Sequence, residues 1–242
     1  AERLQIDRVF IPAAAGLYSA FGMLAMGIGR DFIRSYPVRA DQVDSGVAND
    51  GNGLWDIFRR DLQAATTTRI SVASNGGDSN GSSDTPAVSG DGRFVAFVSW
   101  ASNLGAPSVA NNYNVYVRDV DAGTTSLVSY ASDNTNALGG GATLPSISED
   151  GRYVAFDAMG AALPWDNNGF NDTYVRDRQK NTTALISAGY NGTPPAAGAI
   201  LPVISGDGRY VALVSSSSQL AFGDGNGKTD AFRVQMPYDP FP

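Results

Sequence analysis

The sequence predicts an all-β protein made of four-stranded antiparallel units that repeat along the chain. Two observations lead to this fold class. Three short motifs recur in one register, and each is rich in β-branched and aromatic residues, with turn-forming glycines between them. We expect about three four-stranded blades over residues 46–242, preceded by a short strand–helix–strand extension over residues 1–45.

The most regular motif reads Asp-Thr-Tyr-Val-Arg-Asp in its third copy and predicts a half-buried strand, which we call strand C. Its four copies begin at Asp56, Asn114, Asp172 and Asp230, each 58 residues after the one before. A second motif, Thr-Thr-x-Leu-Ile-Ser, follows at Thr66, Thr124 and Thr182 and predicts strand D.

The third motif predicts a hairpin of two strands, A and B. Its copies span Pro86 to Phe97, Pro145 to Phe156 and Pro202 to Leu213. Each copy contains Asp-Gly at its centre, which supplies the positive φ values that a tight hairpin turn needs. Strands A, B, C and D together form the four-stranded antiparallel unit of a β-propeller blade.

The full hairpin motif reads Pro-x-x-Ser-x-Asp-Gly-Arg-[Phe/Tyr]-Val-Ala, followed by Phe or Leu. Over about residues 47–242 this pattern resembles the repeat of TolB-like (WD40-like, PD40) β-propellers. The resemblance implies a propeller fold and commonly a binding or scaffolding role. It also implies a location that is often periplasmic or secreted, but it does not imply one activity.

The first 45 residues carry none of the repeat. They predict a strand over residues 6–11, a helix near residues 16–27 and a strand over residues 31–36. Residues 1–44, above all Val9 to Gly22, are similar to a short segment of the hydantoinase A / oxoprolinase family. The phosphate- and metal-binding parts of those enzymes are missing, so their activity does not carry over. We expect a chimera, in which a cloning, metagenomic or genomic junction joined an enzyme fragment to a truncated propeller; a functional segment is the alternative.

The composition excludes several kinds of chemistry. The 242 residues include neither Cys nor His. A disulfide framework, a thiol nucleophile, a Ser-His-Asp triad and an imidazole-bound zinc site are therefore excluded. A formal net charge of −7 argues against nucleic acid as a partner. No stretch is long and apolar enough for a membrane span, and no signal peptide is evident.

The strand count predicts self-association. The chain supplies C-D, then A-B-C-D twice, then A-B-C, which is about three blades against the four to eight of a closed propeller. Exposed blade faces and strand edges favour association. We expect two chains to close a six-bladed ring as a homodimer, each completing the other's split blade. A missing C-terminal part and an irregular monomer are the alternatives.

The loops between strands B and C contain a candidate metal site. They share the pattern Asp-x-Asn-Gly-x-x-Asp, in which oxygen side chains surround a tight turn as they do in calcium loops. The predicted Ca²⁺ ligands are Asp50, Asn52, Asp56, Asp166, Asn168, Asp172, Asp224, Asn226 and Asp230. Asx turns that need no metal are the alternative, since each loop has only two carboxylates.

Propeller topology predicts which face is functional. The B-to-C loops and the long D-to-A links emerge at one end of each blade, and loops on a rigid scaffold are common binding sites. Trp100, Trp165, Tyr113 and Phe170 lie in or beside these loops. Such a face suits a small molecule, a sugar or a peptide, while packing between blades is the structural alternative for each aromatic residue.

Two classes of function remain open. The first is a binding or assembly module that uses this face. The alternative is a calcium-assisted hydrolase of esters, lactones or phosphotriesters, in which a metal polarises the substrate and a carboxylate serves as nucleophile or base. The sequence identifies no catalytic residue for that alternative.

Overall fold

The computed structural model describes residues 31–36 as backbone, and residues 51–105, 112–131, 133–159 and 162–236 in full. The expected strand 6–11 and helix 16–27 lie outside these ranges. The described residues form fourteen strands and no helix. The strands are β1 (Asp31–Tyr36), β2 (Asp56–Asp61), β3 (Thr66–Arg69), β4 (Ser83–Val88), β5 (Phe94–Ser99), β6 (Asn114–Asp119), β7 (Thr124–Leu127), β8 (Ala142–Ile147), β9 (Tyr153–Ala158), β10 (Asp172–Asp177), β11 (Thr182–Leu185), β12 (Ala199–Ile204), β13 (Tyr210–Ser215) and β14 (Asp230–Gln235).

These strands make four antiparallel sheets. Their orders are β1-β2-β3, β4-β5-β6-β7, β8-β9-β10-β11 and β12-β13-β14, which we number blades 1 to 4. Strands A, B, C and D of the sequence pattern are β4 to β7 in blade 2 and β8 to β11 in blade 3. The predicted all-β fold of four-stranded blades is confirmed by this order.

The first blade contains a strand from outside the repeat. Residues 31–36 form the expected strand, and β1 pairs with β2 over its whole length, from Asp31 opposite Asp61 to Tyr36 opposite Asp56. In the other blades the partner on this side of strand C is strand B. The N-terminal segment therefore occupies the strand B position of blade 1.

The hydrophobic core lies between successive blades. Ile57, Phe97 and Tyr116 belong to one cluster that joins blades 1 and 2. A second cluster joins blades 2 and 3 and includes Val117 and Phe156. A third, which includes Val175 and Leu213 among other residues, joins blades 3 and 4. Among the A strands, β8 contacts both β4 and β12, so the blades stack along a shared inner edge as in a β-propeller.

The exposed side of blade 4 marks where this stacking ends. Strand β10 of blade 3 is buried at every position, because blades pack against both of its sides. The equivalent β14 alternates between half-buried and exposed residues. One side of blade 4 is thus not covered by the residues that the structure describes. Over the residues that the structure describes, no helix is long and apolar enough to cross a membrane.

Candidate binding face

The strand registers place the connections at two opposite ends of the blades. In blade 2, Ser83 and Asn114 both lie opposite Ser99, at the end from which the B-to-C loop and the D-to-A links leave. Phe94 lies opposite Asp119 at the other end, beside the Asp-Gly hairpin. We call the first end the loop face and the second the turn face.

The Asp-x-Asn-Gly-x-x-Asp loops fold as Asx turns. In each of the three described copies the Asn amide oxygen accepts a hydrogen bond from the backbone N–H two residues later, and its amide N–H donates to the last Asp. The oxygen of Asn52, Asn168 and Asn226 accepts from Leu54, Phe170 and Lys228 at 2.9, 2.8 and 2.7 Å. The amides donate to Asp56, Asp172 and Asp230 at 3.1, 2.6 and 2.8 Å.

A serine that ends the strand D motif completes this arrangement. Ser187 donates to Asp172 at 2.9 Å and accepts from the backbone N–H of Thr173 at 3.1 Å. Ser71 bonds to Asp56 in the same way. These serines tie strand D to strand C, a role that the site prediction from sequence missed. The signal was the final Ser of the Thr-Thr-x-Leu-Ile-Ser motif, at a fixed distance from the Asp.

The first Asp of each loop, which is the remaining predicted calcium ligand, does not have the same hydrogen-bond partner in every copy. Asp50 lies outside the described residues. The Asp166 carboxylate accepts from the Tyr174 hydroxyl, and Asp224 receives the backbone N–H of Asn226 at 3.5 Å. Each Asn turns its N–H group toward the carboxylate, so a cation would need that side chain to rotate. Within the described ranges, no three acidic side chains gather as a metal-binding group. Calcium binding at these loops stays a prediction.

Blade 3 buries carboxyl groups near the loop face. Burial raises the pKa of Asp172 to about 6, although hydrogen bonds from Asn168 and Ser187 oppose the shift. Burial also raises the pKa of Asp166, which adds its negative charge to the surroundings of Asp172. These two groups are therefore harder to ionise than ordinary aspartates.

A third buried carboxyl group lies in strand B of the same blade. Asp157 is 2% exposed and accepts a hydrogen bond of 2.7 Å from the Thr143 hydroxyl. Burial raises its pKa to about 6. The equivalent positions in blades 2 and 4 are Val98 and Val214. Only an alignment of the three repeats reveals this exchange of a valine for an acid.

Large apolar side chains are exposed on the loop face of every blade. Their exposed fractions range from 43% for Trp100 to 92% for Phe222. The exposed residues of this face are Trp55, Trp100, Met159, Trp165, Phe170, Tyr190 and Phe222. On the turn face, the described residues expose one large apolar side chain, Leu62. The predicted packing role between blades therefore does not account for Trp100, Trp165 or Phe170. Tyr113, by contrast, is half-buried and packs edge-on against Trp100 at 4.3 Å between ring centres.

The repeat shows that the blade fold does not require these aromatic residues. Position by position, other copies carry small, polar or aliphatic residues where the loop face has a ring. Trp100 corresponds to Met159 and Ser216, Trp165 to Gly223, Phe170 to Leu54 and Lys228, and Phe222 to Pro164. Exposed apolar side chains that the fold does not need are typical of an interaction surface.

Hydrogen bonds between neighbouring connections hold the loop face in place. Asn80 in a D-to-A link donates to Ser102 in a B-to-C loop at 2.8 Å and accepts from its backbone N–H at 2.8 Å. Asn103 donates to the carbonyl of Asp78 at 2.7 Å. In blade 4, Gln219 accepts from Ala196 at 2.8 Å. The aromatic side chains are thus presented on braced loops.

The turn face is organised by charged residues. In each hairpin the Ser hydroxyl donates to the turn Asp, as from Ser148 to Asp150 at 2.6 Å. Arg152 also forms an ion pair of 2.6 Å with the fully buried Asp177. Arg93 and Asp119 make the same pair at 2.7 Å in blade 2. Each pair links the Asp-Gly hairpin to the end of strand C within one blade.

Two solved structures similar to this chain are TolB proteins. The structure of TolB from Acinetobacter baumannii shares 16% identity over 78% of this chain and 39% of that chain, with a TM-score of 0.43. For the putative TolB from Agrobacterium tumefaciens, the values are 15%, 85%, 62% and 0.49. The chain thus spans less than two thirds of either protein.

A third similar structure is an oligogalacturonate lyase in complex with manganese, with 12% identity over 87% of this chain, 46% of that chain and a TM-score of 0.44. No protein-family model matches the sequence, and no curated protein is significantly similar to it. The similarity of residues 1–44 to hydantoinase A stays a prediction. The propeller assignment for this chain rests on its own sheet order and blade packing.

Proposed function

We propose that this chain is a β-propeller binding module and that its loop face is the binding surface. One observation carries the proposal: exposed aromatic side chains occur on this face in all four blades, at positions where other copies of the repeat manage without them. Aromatic side chains supply large contact areas at low entropic cost, and they are enriched in the energetic centres of interfaces.

The braced loops support the same function. A surface that is already ordered loses little conformational entropy when a partner binds, and so retains more of the contact energy. The hydrogen bonds of Asn80, Asn103 and Gln219 each connect a D-to-A link to the B-to-C loop of the blade that follows it. The rings of Trp100 and Tyr113 are further fixed by their mutual contact.

An array of peptides and glycans tests this proposal. The wild-type protein is compared with a Trp100→Ser/Trp165→Gly double variant, whose new residues are those of the equivalent positions Ser216 and Gly223. We expect the double variant to lose the wild-type hits. Leu62→Ala, on the turn face, is the control and should keep them. Hits that survive the double substitution and vanish with Leu62→Ala would place binding on the other face.

Self-association is a second part of the proposal. The uncovered side of blade 4, with Ala212 and Arg233 exposed, supports a contact with another chain. The six-bladed ring with shared blades has an additional requirement, because β1 occupies the strand B position of blade 1. For the partner to supply that strand, β1 would have to leave β2. Sedimentation equilibrium decides: a mass near 25.3 kDa, that of one chain, would exclude the dimer.

Calcium-assisted hydrolysis remains the alternative from sequence. The carboxylates of Asp56 and Asp172, two of the predicted calcium ligands, accept hydrogen bonds from Asn and Ser side chains, so neither is presented as a free nucleophile. Turnover of ester, lactone and phosphotriester chromogens, measured with calcium and with chelator, tests it. Chelator-sensitive turnover would favour the hydrolase over the binding module.

A further inference from the structure

The charges of the loop face differ from those of the turn face. Among the described residues, four accessible aspartates of the loop face take part in no ion pair with Lys or Arg: Asp84, Asp133, Asp224 and Asp230. Among the side chains that the structure describes, the cations at this end are Lys228 and Arg69, and Arg69 is already paired with Asp78 and Asp56. The described part of the loop face therefore carries a negative charge that its own described side chains do not neutralise.

The aromatic rings of this face, like its negative charge, favour a positively charged ligand. The face of an aromatic ring is electron-rich and attracts the cations of Lys and Arg, Trp most strongly. Within this chain, Arg–aromatic contacts do occur, but mainly toward the turn face: Arg93 lies 4.8 Å from the Phe94 ring centre, and Arg152 lies 4.7 Å from that of Tyr153. Among the described contacts, none places an Arg or Lys over Trp100, Trp165 or Phe222.

The distribution of the rings indicates the size of the ligand. Trp55 belongs to blade 1, Trp100 to blade 2, Trp165 to blade 3 and Phe222 to blade 4. A ligand that contacts several of them must extend across blades. A compact cation can reach only one, whereas an extended polypeptide carries a side chain to each.

We infer that the loop face binds an extended segment of a partner protein that is rich in Arg and Lys. The basic side chains stack on the exposed rings, and the unpaired aspartates attract the segment electrostatically. This inference rests on the proposed function of the loop face and names the class of its partner.

Three synthetic peptides of equal length test the inference: alternating Arg–Gly, alternating Ser–Gly and alternating Glu–Gly. Tryptophan fluorescence measures their binding to the full chain. We expect the Arg–Gly peptide to bind, the Glu–Gly peptide not to bind, and the Arg–Gly affinity to fall as salt is raised. Equal binding of the Ser–Gly peptide, or no binding of the Arg–Gly peptide, would overturn the inference.

Matched variants separate aromatic from charge recognition. Trp165→Gly, which copies Gly223, should weaken Arg–Gly binding roughly fivefold to tenfold. Asp133→Asn/Asp224→Asn should weaken it severalfold at low salt and hardly at all at high salt. Phe170→Lys, which copies Lys228, should weaken binding by adding a like charge. Each variant is first shown to melt as the wild type does. Arg–Gly binding that none of these substitutions changes would also overturn the inference.

Failure of the inference of a basic partner can be distinguished from failure of the proposed binding function. If a neutral oligosaccharide or peptide binds in the array, and the Trp100→Ser/Trp165→Gly variant loses it, the loop face is a binding surface and only the basic partner is wrong. If ligands bind independently of every loop-face residue, the proposed function fails as well.

Discussion

The two ends of the blades treat their carboxyl groups in opposite ways. On the turn face, the pKa of Asp119 is lowered, chiefly by the hydrogen bonds from Arg93, and the pKa of Asp177 is lowered because Arg152 and backbone N–H groups outweigh its burial. In blade 3, near the loop face, burial raises the pKa of Asp157 and Asp172. The turn end is thus an ion-paired framework that holds the hairpins together. The loop end instead contains buried carboxyl groups without a cationic partner, whose ionised form burial disfavours.

This contrast has one exception, which follows the same physics. Asp133 lies in an exposed D-to-A link, where backbone N–H and side-chain donors from Thr135 and Asn136 lower its pKa to about 2. Hydrogen bonds to the charged form dominate where burial is slight. The pKa is therefore raised where a carboxyl group is buried without a cationic partner, as in blade 3. It is lowered where a buried group has a cation, as Asp177 does, or where an exposed group has several donors, as Asp133 does.

The largest expected effect is on the turn face. Gly151 has a φ of +71°, and a Cβ at this position would collide with the Phe94 ring of the preceding blade. Gly151→Ala should therefore destabilise the protein by roughly 3–4 kcal/mol, from backbone strain plus overpacking. Urea denaturation measures this change.

A loop-face glycine provides the control. Gly53 has a φ of +65°, but a Cβ there would meet nothing within 4 Å. Gly53→Ala should cost about 1 kcal/mol, from strain alone. Equal effects of the two substitutions would contradict the claim that the turn is packed between blades.

The next effect distinguishes a buried ion pair from an exposed one. Asp177 is fully buried and pairs with Arg152, whose side chain is 26% exposed. Asp177→Ala leaves that guanidinium without its partner and should cost about 3 kcal/mol. Asp119→Ala removes the pair with Arg93, which is 43% exposed, and should cost about 1 kcal/mol or less. A larger loss of unfolding free energy in Asp119→Ala than in Asp177→Ala would show that burial does not determine how much these ion pairs stabilise the protein.

The pH dependence of stability tests the loop end. The pKa of Asp157 is about 6 in the folded protein against 3.8 for an ordinary aspartate. Its contribution is fully present below 3.8 and is lost as pH rises through 6. The shift corresponds to roughly 3 kcal/mol in total, of which about 2 kcal/mol is lost between pH 4 and pH 6.

The matched variant is Asp157→Val, which copies Val98 and Val214. Its unfolding free energy should fall less than that of the wild type between pH 4 and pH 6, by about 2 kcal/mol. Asp172, which keeps its own raised pKa, still contributes in both proteins. Parallel pH profiles for wild type and variant would show that Asp157 is not responsible.

The smallest expected effect concerns metal. The hydrogen bonds within the loops of Asn52, Asn168 and Asn226 need no cation. They predict the same melting temperature with calcium and with chelator. A midpoint that falls on chelation would instead support the calcium sites predicted from the sequence.

Repetition explains how much of this molecule was predictable. Strands A to D recur with Asp-Gly turns and β-branched residues, so local propensity and pattern agree, and their sheet order followed from the sequence. The pairing of β1 with β2 did not, because residues 31–36 lack the repeat and long-range pairing leaves no local signal. The loop pattern predicted that Asn and Asp oxygens surround a tight turn, but whether an Asn turns its oxygen or its N–H toward the Asp depends on the backbone donors nearby.

The exposed rings show a second limit of sequence reasoning. Trp100 and Tyr113 were both placed at the predicted functional face, yet one is 43% exposed and the other is packed beneath it. An apolar residue in a loop has no periodicity that distinguishes these outcomes. Comparison between blades supplies the missing information, because it shows which rings the fold can do without.

The division of roles between the two ends is tested most directly by measuring one pair of variants in two ways. We expect Trp165→Gly to weaken Arg–Gly peptide binding and to leave the unfolding free energy unchanged. Asp177→Ala should lower the unfolding free energy and leave binding unchanged at temperatures where the variant is folded. If Trp165→Gly destabilised the protein without affecting binding, the loop face would be part of the framework and the account would be wrong.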